Sequence, residues 1–337
     1  MNTKIHTALK KAQRLMPNSP GVYLFLDSAE RPLYIGKSVR IKQRVASYLR
    51  SNNMDMEERL QRMVHEARSL RHIETETELL ALLLEDALIK KYLPIYNIKQ
   101  KQFRDYQYVR ITDEVYPRMQ RIDGSTHSDS DIYGPFKDRF FVERLQEIFA
   151  RYLAFRSCHD SHPTKRCIEL DIGHCLGPCV LPEVHNNYAL ITTDVIRFLR
   201  GEDPGITAKI ETEINKSIED LRFEHAQRLR DDLIFCDSFF NRQRFNHRFR
   251  IDKLIISPKT AKSPVYEFEK GALREVVLKD GRISHPGEQL DLFDLSLVQE
   301  DDPRFLLDRA NLVYNWLNKN KRETVYGFGS SESPGSK

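Results

Sequence analysis

The sequence predicts an α+β fold that begins with a small mixed sheet flanked by helices. Two observations predict it: short apolar segments of strand length lie between polar turns, and longer segments carry apolar residues at helical spacing. At 337 residues, the chain is long enough for two or three domains. Its composition, 40% hydrophobic and 30% charged, is that of a globular protein and excludes a disordered chain.

A helix and a β-hairpin are expected at the beginning of the chain. The helix spans Lys4–Met16 and ends at Pro17, which cannot continue it. Two strands follow, Gly21–Asp27 and Pro32–Lys37, and the polar four-residue segment between them has hairpin length.

The second helix, Ser38–Arg50, carries an apolar stripe of core residues and a basic face beside it. The stripe comprises Ile41, Val45 and Leu49. Lys37, Arg44 and Tyr48 follow the spacing i, i+7 and i+11, which places them on one helical face next to Arg40. Two cations and a phenol at the edge of a core suit a phosphodiester, although a solvated basic face has the same pattern.

An acidic residue in an apolar helix is the first candidate metal ligand. The expected strand Leu70–Glu74 leads into Thr75–Glu78, which fits a capping box, and an apolar helix then runs to about Tyr92. Within that helix, Glu85 has apolar neighbours one turn before and one turn after it. A carboxylate in such surroundings needs a partner, either an arginine such as Arg44 or a divalent cation.

The remainder of the chain predicts a second α/β segment, a helical region and a final region with strands. Two strands and a helix are expected at Tyr106–Thr112, Pro117–Ile122 and Phe140–Tyr152. Helical periodicity covers Asn187–Asn246 with a break at Gly201–Gly205, and strand character returns after Ile251, with a hairpin through Lys279–Gly281. The expected regions are 15–100, 101–155, 156–182, 183–250 and 251–329, followed by a disordered tail at 330–337.

The distribution of charge favours a nucleic-acid partner for the amino-terminal part. The net charge is only +4, but residues 1–50 contain ten Lys or Arg against two Asp or Glu. No segment approaches the roughly 20 apolar residues that span a bilayer, and the basic amino terminus lacks the apolar core of a secretory signal. We therefore expect a cytoplasmic protein that does not contact a membrane.

Five elements within 77 residues resemble the signature of GIY-YIG nucleases. They are Gly21-Val22-Tyr23, Tyr34-Ile35-Gly36, Arg44, Glu85 and Asn97. The sequence around them is similar to the amino-terminal domain of the UvrC family of excision-repair nucleases, which includes the short homologue Cho. This resemblance, which covers about residues 15–250, implies a GIY-YIG nuclease domain over residues 15–100.

The resemblance implies a role for each matching residue. Glu85 would hold one catalytic divalent ion, Mg²⁺ or Mn²⁺, and Arg44 and Lys37 would stabilise charge on the phosphate. Tyr23 or Tyr34 would position or deprotonate the attacking water, with its pKa lowered by the metal and nearby Lys37. Packing in the strand core is the alternative for the tyrosine that is not the base. The residues that complete the site are Tyr48 and Asn97.

Four of the five cysteines lie within 22 residues: Cys158, Cys167, Cys175 and Cys179. Such clustering without a secretory signal favours a metal site over disulfides. The segment resembles the cysteine-rich segment of the UvrC family, which implies a [4Fe–4S] cluster. Zn²⁺ is the alternative, with nearby histidines as further ligands: His159, His162 and His174. The fifth cysteine, Cys236, is expected to be a buried small hydrophobe.

The segment Ile218–Leu233 is expected to be an amphipathic helix. Its apolar residues near helical spacing are Leu221, Ala226, Leu229 and Leu233. It resembles the UVR motif, a helical hairpin through which the UvrC family contacts the damage-recognition subunit UvrB. Packing within its own domain is the alternative.

These expectations combine into a damage-directed DNA endonuclease. The single nuclease signature, together with the family resemblance, implies one metal-dependent incision in damaged double-stranded DNA, on the 3′ side of the lesion, in nucleotide excision repair. Two alternatives are a structure-specific GIY-YIG endonuclease that acts without UvrB and a non-catalytic DNA-binding repair adaptor.

Overall fold

The computed structural model of the chain describes residues 3–50, 57–98, 106–122, 132–136, 138–158, 165–260, 264–284 and 303–329. The predicted α+β class is confirmed: helices pack with three antiparallel sheets in the described part. Two compact units form, one from residues 1–104 and 249–337 and the other from residues 105–248. The finer boundaries expected from the sequence stay predictions. The predicted tail 330–337, His159 and His162 lie outside the described residues.

The amino-terminal part of the first unit places one buried strand between two layers of helices. Its elements are α1 (Thr3–Leu15), β1 (Gly21–Leu26), β2 (Pro32–Ser38), α2 (Ile41–Tyr48), α3 (Glu58–Glu66), β3 (Ser69–Glu74) and α4 (Glu78–Tyr92). The sheet has the order β2-β1-β3, and every residue of the central strand is buried. Tyr23 and Phe25 pack toward α1, α2 and α3, whereas Val22 and Leu24 pack against α4. This alternation follows from the two-residue period of a strand.

Two sequence-based expectations are wrong in this part, and one helix was not predicted. The second helix begins at Ile41, so Lys37 lies on β2 and does not share a helical face with Arg44. The expected capping box does not form with Thr75 as its first residue: Thr77 is the N-cap and its hydroxyl accepts the N–H of Leu80. The helix α3 was not expected. The apolar stripe of α2 is confirmed, since its three residues are buried.

The second unit combines a three-stranded sheet with long helices. Its elements are β4 (Gln107–Ile111), β5 (Met119–Ile122), β6 (Ile132–Phe136), α5 (Arg139–Leu153), α6 (Ile168–Asp171), α7 (His185–Leu199), α8 (Gly205–Glu219) and α9 (Phe223–Ile251), whose last residues enter the first unit. The expected helix break at Gly201–Gly205 is confirmed. A buried carboxylate, Asp232, accepts from Tyr152 and from Arg151, both at 2.7 Å. These contacts fix α9 against α5.

The expected helix Ile218–Leu233 is interrupted. The helix α8 ends at Glu219 and α9 begins at Phe223, with Leu221 in a left-handed conformation between them. Ala226 and Leu229 are buried, and Leu229 belongs to the core of its own unit. The apolar side of this segment therefore packs inside its own domain, and the residues that stay exposed flank the turn.

The carboxyl-terminal part of the first unit is a five-stranded sheet with one helix. Its elements are β7 (Lys253–Pro258), β8 (Val265–Glu269), β9 (Ala272–Val277), β10 (Ile283–Ser284), α10 (Pro303–Lys319) and β11 (Thr324–Gly329). The strand order is β10-β9-β8-β7-β11. The predicted hairpin through Gly281 is confirmed, because β9 pairs with β10 around it. The helix α10 and the strand β11 were not expected. Across the helices that the structure describes, none has the length and apolarity to cross a membrane.

Candidate active site

Three tyrosines from two strands and a helix form one hydrogen-bonded cluster. The hydroxyl of Tyr48 lies 3.2 Å from that of Tyr23 and 3.4 Å from that of Tyr34. The ring centroids are 6.0 to 6.3 Å apart. Tyr23 and Tyr34 reach the same face because β1 and β2 pair in antiparallel register. The structure thus brings together all three tyrosines selected from the sequence.

A glycine makes room for this cluster. Gly36 lies opposite Tyr23 in the strand register, and a Cβ atom on Gly36 would be 2.4 Å from the Tyr23 hydroxyl oxygen. A side chain at this position would displace the phenol, so the space that the tyrosine occupies depends on the absence of a Cβ. In the sequence, Gly36 is recognisable only as part of the Tyr34-Ile35-Gly36 motif. Its contact with Tyr23 could not be predicted, because the residue opposite Gly36 depends on the register of the two strands.

Arg44 covers the exposed side of the tyrosine cluster. Its guanidinium carbon lies 5.2 Å from the centroid of the Tyr48 ring, one turn further along α2. Its positive charge also acts on Tyr23, whose pKa it lowers against the larger effect of burial. Partial burial acts against the charge, but the three phenols more than offset it, and the pKa of Arg44 lies above its ordinary value. Arg44 is therefore a fixed cation at the edge of the cluster.

Tyr23 and Tyr34 are neutral at physiological pH, because the pKa of each is raised. Burial, followed by the neighbouring phenols, raises the pKa of Tyr23 well above its ordinary value. Burial raises the pKa of Tyr34 as well, and so do Tyr48 and the charge of Glu85, whereas Arg44 acts in the opposite direction. The expectation that Lys37 lowers the pKa of a tyrosine is not met, because Arg44 is the cation next to the phenols.

Glu85 is bonded to the backbone of β2. It is half-buried on α4, and its Oε1 accepts the backbone N–H of Lys37 at 3.0 Å. The negative charge of Glu85 contributes to the raised pKa of Tyr34. Arg44, which the sequence offered as a partner for Glu85, interacts with the tyrosines. The charges of Glu85 on α4 and of Arg44 on α2 therefore shift the pKa of Tyr34 in opposite directions.

The ammonium group of Lys37 is held by a carboxylate that the sequence did not single out. Its Nζ lies 2.7 Å from Oε1 of Glu78, in the first turn of α4. Burial opposes ionisation of Glu78, but the bond from Lys37 and a second lysine, Lys319, lower the pKa of that carboxyl. Spacing along the chain gave no sign of this pair, because the two residues are 41 positions apart.

Asn97 fixes strand β2 from the side. Its Oδ1 accepts the N–H of Ile35 at 2.9 Å, and its Nδ2 donates to the carbonyl of the same residue at 2.7 Å. The amide is buried, and Ile35 is the central residue of the Tyr34-Ile35-Gly36 motif. Asn97 therefore positions the strand that carries Tyr34.

The donors at this site fit one divalent cation only if the substrate completes the shell. Across the residues that the structure describes, no three His, Cys, Asp or Glu side chains form a metal-binding group. Glu85 is a single carboxylate at the edge of β2, and Mg²⁺ commonly binds one or two carboxylates together with water and phosphate oxygens. The chemistry of this donor set suits an ion that binds together with DNA.

The four clustered cysteines are free thiols in the second unit, as is Cys236 elsewhere in the chain. Burial raises the pKa of Cys158 and Cys175, and each of these two thiols is influenced by Cys167 and Cys179. Cys175 Sγ also accepts the N–H of Gly177 at 3.3 Å. Among the described residues, no three of these side chains form a metal-binding group. Cys236 is buried, as expected.

Comparison with known proteins defines the class of this site and then the family. Residues 19–98 match the UvrC-like GIY-YIG domain, so the amino-terminal part is a GIY-YIG nuclease domain. Residues 106–198 match the middle domain of UvrC/Cho excinucleases. With these two matches in order along it, the chain belongs to the UvrC-like excinuclease family.

Solved structures of a nuclease domain are also similar to the chain. The GIY-YIG amino-terminal endonuclease domain of UvrC from Thermotoga maritima, bound to its catalytic magnesium, is 40% identical, covers 29% of this chain and 100% of that domain, and has a TM-score of 0.25. Two variants of that domain, each bound to its divalent cation, match with the same coverage and TM-score: a tyrosine-to-phenylalanine variant at 39% identity and an asparagine-to-alanine variant at 38%.

Proposed function

We propose that this excinuclease homologue is a metal-dependent endonuclease that makes one incision in damaged double-stranded DNA, on the 3′ side of the lesion. The proposal is carried by the hydrogen-bonded tyrosine cluster, by the Arg44 guanidinium over the Tyr48 ring and by the Glu85 carboxylate on the backbone of β2. An anion that can hold a metal, a cation and a water-accessible phenol are the groups that phosphodiester hydrolysis needs. Since the substrate is chromosomal DNA, we place the activity in the cytoplasm.

One divalent ion, Mg²⁺ or Mn²⁺, held by Glu85 would supply positive charge at the scissile phosphate. The chain's own residues prepare that position. The backbone N–H of Lys37 orients the Glu85 carboxylate, and Asn97 holds the strand from which that N–H projects. Arg44 stabilises the charge that develops on the phosphate oxygens, because its guanidinium is fixed beside the phenols.

We propose Tyr34, rather than Tyr23, as the phenol that binds the attacking water. Tyr23 is 1% exposed and cannot reach solvent, whereas Tyr34 is half-buried. A neutral Tyr34 can donate its proton to Tyr48 and accept a hydrogen bond from water with its free lone pair. Tyr23 then supports Tyr48 from within the core.

A nicking assay tests this function. Wild type, Glu85→Gln and Arg44→Ala are incubated with lesion-bearing duplex, with and without Mg²⁺ and with and without a UvrB subunit. We expect metal-dependent nicking 3′ to the lesion by wild type, and loss of nicking in both variants. Nicking without UvrB would favour the structure-specific nuclease, and binding without nicking under every condition would favour the adaptor.

The turn between α8 and α9 is the proposed contact for a UvrB-like subunit. Leu221 and Phe223 are exposed there, at 73% and 63%, whereas the apolar residues that follow are buried. Exposed apolar side chains at a helical turn are common anchors of protein interfaces. We expect Leu221→Ser with Phe223→Ser to weaken binding to UvrB and to leave UvrB-independent DNA binding unchanged. Unchanged affinity for UvrB would contradict the proposed contact.

We also propose that the four clustered cysteines bind a [4Fe–4S] cluster, with Zn²⁺ as the alternative. The proposal is supported by four free thiols that influence one another and by the N–H bond to Cys175, which suits a thiolate ligand. The visible spectrum and metal content of anaerobically purified protein test it. We expect brown absorption that is lost in Cys175→Ser. A colourless protein with one equivalent of zinc would support the alternative.

A further inference from the structure

The carboxyl-terminal part of the first unit is attached to the helix that carries Glu85. Asp308 on α10 lies 3.0 Å from Lys90 near the end of α4, and the Lys90 side chain is only 2% exposed. Tyr266 on β8 is buried, and Thr77, the N-cap residue of α4, lowers its pKa through a side-chain interaction. At the other end of α10, Lys319 lies 3.6 Å from Glu78 in the first turn of α4. The two helices are thus held antiparallel, with the end of α10 beside the nuclease site.

Glu78 connects that end of α10 with the site. Its Oε1 faces two ammonium groups, Lys37 at 2.7 Å and Lys319 at 3.6 Å. Lys37 also donates its backbone N–H to Glu85. One carboxylate between two lysines leaves a net positive charge next to the position proposed for the scissile phosphate.

Further cations extend this charge away from the site. Lys321 and Arg322 follow α10 directly and are exposed, and the Lys319 side chain is 72% exposed. The turn is held in place because Lys259 donates to the backbone carbonyl of Lys321 at 2.8 Å. We call the three cations, Lys319, Lys321 and Arg322, the α10 basic end. Only one acid, Glu323, lies in this stretch.

We infer that the α10 basic end binds the phosphate backbone of the DNA next to the bond that is cut. The inference rests on the proposed nuclease function, since that function supplies the DNA. Duplex DNA carries one phosphate charge per about 1.7 Å of its axis, so phosphates continue beyond the one at Glu85 and meet the nearest cations. The carboxyl-terminal part thereby contributes to substrate binding, which no motif in its sequence indicates.

Binding of a fluorescein-labelled duplex, measured by anisotropy without divalent cation over a series of salt concentrations, tests the inference. The test variant is Lys319→Ala with Lys321→Ala. The matched control is Lys253→Ala with Arg274→Ala, which removes two exposed cations at the opposite end of the same sheet. A third variant, Lys319→Arg with Lys321→Arg, keeps the charges.

We expect the test variant to bind roughly tenfold more weakly, and the slope of log K against log salt to fall by about 1.8, or about 0.9 per lost phosphate contact. In the nicking assay KM should rise while kcat stays unchanged, and the arginine variant should bind like wild type. If the test variant and the control have the same affinity and salt slope, the α10 basic end is only a solvated helix terminus. Absence of DNA binding and nicking by wild type would instead contradict the proposed function.

Discussion

Two neighbouring carboxylates on α4, Glu85 and Asp86, have opposite surroundings. Glu85 is half-buried at the edge of β2, where it accepts the backbone N–H of Lys37 and contributes to the raised pKa of Tyr34. Asp86 is buried on the other side of the helix, 2.6 Å from Lys90, which also contacts Asp308 on α10. A rotation of about 100° between consecutive helical residues separates the two.

The comparison shows that burial of a carboxylate does not by itself mark a catalytic residue. The more deeply buried acid is neutralised by a lysine within the protein and serves packing, which is the common fate of a buried charge. The less buried acid accepts a backbone N–H of the strand that carries Tyr34 and is partly exposed to solvent. We call the side of α4 with Glu85 the site face and the side with Asp86 the core face. The two faces differ in the chemistry of the groups that contact each carboxylate, and depth of burial alone does not distinguish them.

The largest effect is expected when the site face loses its charge. Glu85→Gln keeps the size of the side chain and removes the metal ligand, so nicking should fall about 10³-fold, which corresponds to about 4 kcal/mol in the activation barrier. The melting temperature should change little. Single-turnover nicking at saturating Mg²⁺ measures the rate, and Asp86→Asn is the control; an Asp86→Asn defect as large as that of Glu85→Gln would remove the distinction between the two faces.

Removal of the cation on the core face should lower the stability of the fold. Lys90→Ala leaves Asp86 and Asp308 without their shared cation, and we expect a loss of about 3 kcal/mol in the free energy of unfolding. Urea unfolding measures it, with Lys91→Ala as the neighbouring control. Nicking at a temperature where the variant is folded should stay within a fewfold of wild type. A stable but inactive Lys90→Ala would show that the core face takes part in the chemistry.

The two strand tyrosines should separate in the same way. Tyr34→Phe removes the phenol that is proposed to bind water, and we expect kcat to fall roughly 10²-fold with little loss of stability. Tyr23→Phe removes only the contact to Tyr48 inside the cluster and should lower the rate less. The nicking rates and the urea unfolding midpoints of both variants test this difference. Equal nicking rates would contradict the assignment of the water-binding role to Tyr34.

The smallest expected effect is a difference in pH dependence between Glu78 and Asp86. The pKa of Glu78 is lowered in the folded state, so its contribution to stability is present above the ordinary carboxyl pKa of about 4.3 and is lost as the pH falls below it. Burial raises the pKa of Asp86, so the folded state takes up its proton first and gains relative stability on acidification. The free energy of unfolding is measured in urea between about pH 3.5 and 7. As the pH falls, the stability of wild type relative to Glu78→Gln should decrease, and its stability relative to Asp86→Asn should increase. Parallel pH profiles for the two variants would contradict the opposite directions.

Much of the site follows from local patterns. The strands with Tyr23 and Tyr34, the stripe of α2 and the apolar helix with Glu85 all follow from periodicity, because each pattern is set by residues a few positions apart. The family resemblance then selected Arg44, Tyr48 and Asn97, and the structure places all of them at or beside the site. The helices α3 and α10, by contrast, were not predicted, although their apolar residues follow helical spacing.

The sequence by itself determined which residue types the site contains and in which order they occur, since strand alternation and helical spacing act over short distances. Only the tertiary structure decided their partners. Lys37 pairs with Glu78, Asn97 bonds to Ile35, and Gly36 makes room for Tyr23, because the sheet register and the packing of α4 bring distant positions together. The attachment of α10 to α4 depends in the same way on contacts across more than 200 residues, which no local pattern encodes.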